Sequence, residues 1–130
     1  MRMLFLFALG LAIGAFAAVT VADGLRRRDA YPRGVMNVMA HHLGRLQAAL
    51  RAGQCPAAAT AHALARLDAV SAEIDDAFPD PMRHDTQFRS YAGRLHEALA
   101  PAANAADCTT LAPRVARVAD ACDACHRDYR

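Results

Sequence analysis

The closing stretch of the chain, TTLAPRVARVADACDACHRDYR at residues 109–130, decides how the rest is read. Leu111, Val115, Val118, Cys122, Cys125, His126 and Tyr129 recur at intervals of three and four, which makes one stripe along an α-helix. Thr109 or Thr110 is placed to cap its start. Working back toward the N-terminus, the same period returns three times. Phe88, Tyr91, Ala92, Leu95 and Leu99 mark a helix that ends at Pro101. Leu64, Leu67, Val70, Ile74 and Phe78 mark another, ending at Pro79-Asp80-Pro81. Met36, Met39, Ala40, Leu43, Leu46 and Leu50 mark a third, which follows Tyr31-Pro32 and is stopped by Gly53 and Pro56. Nothing alternates with the period of two that a half-buried strand requires. Four amphipathic helices with short connections predict an all-α, antiparallel up-down-up-down four-helix bundle over residues 33–130.

The chain's 130 residues allow one small domain of this kind and exclude two. Much of the 55% hydrophobic content is alanine, which favours helix but buries little surface, so the core is expected to be thin. With 15 Lys+Arg against 13 Asp+Glu and no long basic stripe, the chain has little electrostatic drive toward nucleic acid. Residues 3–22, MLFLFALGLAIGAFAAVTVA, carry no charge and are long enough to cross a bilayer as a helix. Residues 1–24 therefore read as a signal-anchor or a signal peptide. Arg2 supplies a short positive start and Ala15-Phe16-Ala17 a small-x-small cleavage site, while the apolar run continuing to Ala22 favours retention. A linker, residues 25–32, holds Arg26, Arg27 and Arg28, which suit lipid headgroups or an acidic partner. Gly10 and Gly14 form a GxxxG pair of the kind that seats a partner helix, a spacing that also arises by chance among so many small residues.

The four cysteines divide into two kinds. Cys122-Asp123-Ala124-Cys125-His126 is C-x-x-C-H, the attachment signature of a c-type haem. Two thiols three residues apart share a helical face and can add to the two haem vinyl groups, while the adjacent imidazole reaches the iron. A redox C-x-x-C would want a βαβ setting, and zinc would want a second ligand pair; neither accompanies the motif. Cys55 and Cys108 sit in the first and third connections, which an up-down-up-down bundle puts at the same end. Haem attachment takes place in an oxidising compartment, so a Cys55–Cys108 disulfide is expected, with two free buried thiols as the alternative. The same topology brings the C-terminus of the last helix beside the start of the first, where Met36 and Met39 are the leading core-facing residues. Methionines at helical spacing are often core filler, but beside a haem one of this pair is expected to ligate iron, giving a six-coordinate centre with a raised potential.

Residues 30–130 resemble a class II c-type cytochrome, the cytochrome c′ family. The resemblance rests on CDACHRDYR, which matches C-x-x-C-H-x-x-Tyr/Phe-Arg at Cys122, Cys125, His126, Tyr129 and Arg130, and on VMAHHLGRL at residues 38–46, similar to the family's first helix. It implies one covalently attached haem c with Tyr129 and Arg130 beside it. It places Met36 where pentacoordinate members carry Leu and where a low-spin branch has its ligating Met, and so selects Met36 over Met39. The family's propionate-contacting Arg falls at Pro32, leaving Arg33 as the neighbouring candidate. The family also often forms homodimers through its first two helices, which a tethered protein bound to a larger complex does not require.

The remaining histidines, His41, His42, His62, His84 and His96, read as surface or structural groups. No Ser/His/Asp set or Gly-rich phosphate loop occurs, so an electron carrier is expected rather than an enzyme. The expectation is a periplasmic cytochrome held to the inner membrane by its N-terminal helix, or soluble if that helix is cleaved. It would exchange electrons with a membrane-bound redox complex or reaction centre. Two rivals remain: a cytochrome c′ whose open iron binds nitric oxide or carbon monoxide, and a structural haem subunit.

Overall fold

The computed structural model describes residues 2–100 and 107–129, together with the side chains of these residues other than Phe5, Arg27 and Arg28. Every regular element among them is helical and none is a strand: α1 (Arg2–Arg28), α2 (Ala30–Arg51), α3 (Ala57–Ser71), α4 (Ile74–Ala77), α5 (Asp80–Arg83), α6 (Thr86–Leu99) and α7 (Cys108–Asp128). Pro101 and Arg130 lie outside the described residues. The chain divides into two compact units, Met1–Arg33 and Gly34–Arg130.

In the first unit, α1 contains a span, Arg2–Arg26, long and apolar enough to cross a membrane, a test that a signal sequence also passes. At 1.5 Å per residue its 25 residues reach about 37 Å, more than the hydrocarbon core of a bilayer. Thr20 is the one hydroxyl in that apolar run. It donates back to the carbonyls of Phe16 at 3.1 Å and Ala17 at 2.9 Å, so its hydroxyl is satisfied within the helix. The expected linker at residues 25–32 is almost wholly helical: α1 continues to Arg28 and α2 opens at Ala30, ahead of Tyr31-Pro32. Pro32 is tolerated there because first-turn amides need no partner within the helix.

In the second unit α2 to α4, α6 and α7 each contribute one apolar stripe to a single core. Val35, Met39 and Leu46 come from α2; Ala63, Leu64 and Leu67 from α3; Ile74 and Ala77 from α4. Phe88, Ala92, Leu95 and Leu99 come from α6, and Leu111, Val115 and Val118 from α7. The α6 helix packs closely on α7, and α3 and α5 pack on α6. Gly53 ends α2 with φ of 64°, a left-handed conformation that a residue with a Cβ adopts only at a cost, and Gln54 N donates to Ala49 O at 3.0 Å.

Two local expectations need correcting. The helix carrying Leu64 to Phe78 is not continuous; α3 stops at Ser71 and the chain proceeds through the single turns α4 and α5. Ser71 Oγ donates to Asp68 O at 2.7 Å and Glu73 N donates to Val70 O at 3.1 Å, so the last turn tightens and closes on itself. Phe78 is then extended, as the residue before a proline prefers to be. The last helix is capped by Asp107, not by Thr109 or Thr110. Thr110 N donates to Asp107 Oδ1 at 2.8 Å and Asp107 N donates to Thr110 Oγ1 at 3.3 Å, a reciprocal capping box.

Candidate functional site

The last two turns of α7 hold Cys122, Cys125 and His126. Both cysteines are partly buried and neither is bridged, whereas Cys55 and Cys108 form a disulfide with Cα atoms 5.2 Å apart. That bridge ties the α2–α3 connection to the first residue of α7. Burial pushes the Cys122 thiol up to about 11, with Asp123 and Cys125 adding to the shift, and burial likewise raises Cys125. Both groups are therefore neutral thiols at neutral pH. A thioredoxin-like pair works through a lowered thiol pKa, the opposite direction from the shift at Cys122 and Cys125. His126 is exposed and has no hydrogen-bond partner among the described residues. Among those residues no group of three His, Cys, Asp or Glu side chains is placed to hold a metal ion.

The turn carrying these residues is fastened to α6. The Tyr129 hydroxyl donates to Asp85, the cap of α6, whose other oxygen accepts from Gln87 N at 2.8 Å. In the opposite direction the Tyr91 hydroxyl donates to Asp128 at 2.6 Å and accepts from Gln87 Nε2 at 3.1 Å. Between the two bonds Tyr129 meets Phe88 edge-on at 5.4 Å and Tyr91 at 6.1 Å, and Phe78 lies 5.1 Å from Phe88. The Arg94 guanidinium sits 4.5 Å from the centre of the Tyr91 ring. The bond to Asp85 raises the Tyr129 phenol to about 12 and holds the Asp85 carboxyl below its ordinary range. Sequence periodicity placed Tyr129 on the α7 stripe, but nothing in it pointed to Asp85, Tyr91 or Asp128 as partners at this end. Those pairs span 37 and 44 residues and exist only once α6 and α7 have packed.

The other candidate residues separate. Met36 is partly buried and packs against the core, as do Cys122 and Tyr129. Met39 is 5% exposed and belongs to the core itself. Arg33 lies in the first unit, exposed, and pairs with Asp29 at 3.6 Å. His96 has a structural role of the kind expected for it, its Nε2 lying 3.2 Å from the carbonyl oxygen of Ser71. A covalently held haem needs two reduced thiols one turn apart, an adjacent free imidazole and apolar surface beside them, and Cys122, Cys125, His126 and the flanking core supply all of these. Comparison with protein-family models, with curated proteins and with solved structures finds no match to this chain.

Proposed function

We propose that this chain is a membrane-tethered c-type cytochrome that passes single electrons to or from a membrane-bound redox complex or reaction centre. In this reading residues 33–130 form a four-helix bundle of the cytochrome c′ kind, and one haem c is held through thioethers to Cys122 and Cys125. The observation that carries it is the division of the cysteines. One pair is consumed in a disulfide, while the C-x-x-C-H pair stays unbridged beside an unengaged imidazole. A disulfide that persists points to the oxidising side of the membrane, the side on which thioether attachment takes place.

A haem held there supplies a reversible one-electron iron couple. The chain's own residues do the rest. Cys122 and Cys125, fixed on one helical face, set where the group attaches. His126 offers its imidazole from the same turn, and the bonds of Tyr129 to Asp85 and Tyr91 to Asp128 hold that turn still. Met36 is the methionine free to serve as the sixth ligand, because Met39 is spent in the core. A Met36 thioether offered together with the His126 imidazole would raise the potential of a bound haem and favour electron transfer over gas binding. The apolar α1 span is the anchor in this reading.

The test is an absorption spectrum of the reduced full-length protein, expressed with a haem-attachment system and taken before and after carbon monoxide. Haem that stays with the polypeptide through denaturation, together with a low-spin spectrum unchanged by the gas, is the expected result. No covalent haem overturns the reading. Covalent haem with a shifted Soret band moves it to gas binding.

A further inference from the structure

Charge along the second unit is segregated in a way the haem reading does not use. From Gly34 to the end of α3 there is one acid, Asp68, against Arg45, Arg51 and Arg66 and the three histidines His41, His42 and His62. The next thirteen residues, 73–85, reverse this with Glu73, Asp75, Asp76, Asp80 and Asp85. On α2 the residues Val38, His41, His42 and Arg45 follow the three- and four-residue spacing of one face. Val38 is 43% exposed, one of the few large apolar side chains of the second unit left in solvent. His41 and Arg45 beside it are exposed, as are His62 and Arg66 one turn apart on α3. No ion pair neutralises Arg45 or Arg66 among the described residues.

His42 marks where this face comes together. Its ring lies 5.3 Å from that of His41, and its Nδ1 is buried with no hydrogen-bond partner among the described residues. The charged groups that reach it are His41 and Arg45 of its own helix and His62 and Arg66 of α3, all of one sign.

We propose that the face formed by Val38, His41, His42, Arg45, His62 and Arg66 is a docking surface for an acidic protein partner. An exposed valine on the same helix face as an unpaired arginine, with a second unpaired arginine on α3, suits a partner that offers carboxylates. A lipid surface is the weaker match. A helix lying on a membrane needs a broad exposed apolar face, and α2 has turned Val35, Met39 and Leu46 into the core, leaving Val38 as the one large apolar side chain exposed on the α2 part of the second unit among the described residues. None of the six residues belongs to the haem site, so this surface stands or falls separately from it.

Docking on this face is coupled to a proton. Burial first, then the surrounding cations, lower the His42 pKa below its ordinary value. An acidic surface laid over the face offsets those cations and draws the pKa back up. Binding therefore takes up a proton in the window below about pH 6.5, and affinity rises as pH falls through it.

The experiment uses the full chain in phosphatidylcholine nanodiscs with a decaglutamate peptide as the acidic probe at low salt. Calorimetry in two buffers of different ionisation enthalpy reads affinity and proton uptake, and NMR follows the His42 ring. Binding that weakens about tenfold in the Arg45→Gln/Arg66→Gln double variant is expected, with proton uptake that falls in His42→Gln while affinity at pH 8 is unchanged. The arginine changes alter only exposed side chains, and the helical signal checks that both variants fold. No binding, or equal binding by the double variant, overturns the proposal. So does a His42 ring that ignores the peptide but responds when phosphatidylglycerol replaces part of the phosphatidylcholine, since that makes the face a lipid contact.

Discussion

Removing the Cys55–Cys108 bridge with Cys55→Ala/Cys108→Ala tests the fold at the point where the most chain is closed by one bond. The two residues are 53 positions apart. In the chain-entropy treatment a loop of that length lowers the unfolded state's entropy by about 14 cal/mol/K, or about 4 kcal/mol at 25 °C. Domains of this size are stable by about 5–15 kcal/mol, so the bridge is a large share of the margin. At about 4–8 °C per kcal/mol the melting temperature falls by roughly 20 °C or more. Both cysteines are replaced together, because a single change leaves a free thiol able to exchange with the bridge. The assay is a thermal melt of the full chain in neutral detergent, followed by circular dichroism in the far and near ultraviolet. Alkylation without reductant before the melt confirms that Cys55 and Cys108 are protected in the parent protein. A shift below about 5 °C, or alkylation of both residues in the unreduced parent, refutes the reasoning.

Three further outcomes follow from particular contacts. Leu111 is 0% exposed at the start of α7, so Leu111→Ala leaves a cavity and costs about 3 kcal/mol, read from urea denaturation at constant m-value. The Tyr129 phenol is raised to about 12 by its bond to Asp85, so its contribution to stability is complete below about pH 10 and is lost as pH rises through 12. Titration of tyrosinate absorbance should show a late-ionising group in the parent that is lost in Tyr129→Phe. On the proposed reading, Met36→Leu in the haem-loaded protein would leave the iron open, so that carbon monoxide shifts a spectrum it leaves unchanged in the parent. An inert spectrum in the variant removes Met36 as a ligand.

The helices and the core stripes were legible because their signal is local. Leu111, Val115 and Val118 had to share a face of any helix that contained them, and all three are buried. The break at Ser71 was hidden because Leu67, Val70, Ile74 and Phe78 keep helical spacing straight through it. At the break Ser71 Oγ donates to Asp68 O and Glu73 N to Val70 O, local bonds that leave the hydrophobic period intact. The cap of α7 was displaced for a related reason. Asp107 and Thr110 are both good capping residues, and their order settles which holds the N-cap only when the side chains reciprocate. At the candidate site the C-x-x-C-H spacing is readable from the chain alone. The Asp85 and Asp128 partners are not, since short polar residues far apart in sequence carry no pattern that pairs them.

The two pairs of cysteines differ in their surroundings as well as in their bonding. A disulfide forms by thiolate attack, so the rate follows the thiolate fraction as well as proximity. With the Cys122 thiol at about 11, roughly one molecule in ten thousand carries a thiolate there at pH 7. Burial against the core causes that shift, and it is the same apolar surface that a haem would cover. Cys55 and Cys108 meet where the α2–α3 connection reaches the start of α7, with their backbones at bridging distance. Packing thus separates four identical side chains into a closed pair and a neutral, protected pair. In the proposed reading the unbridged pair would be the one open to thioether formation, and in the haem-free chain Cys122 is expected to resist alkylation at pH 7 while reacting more readily as pH rises.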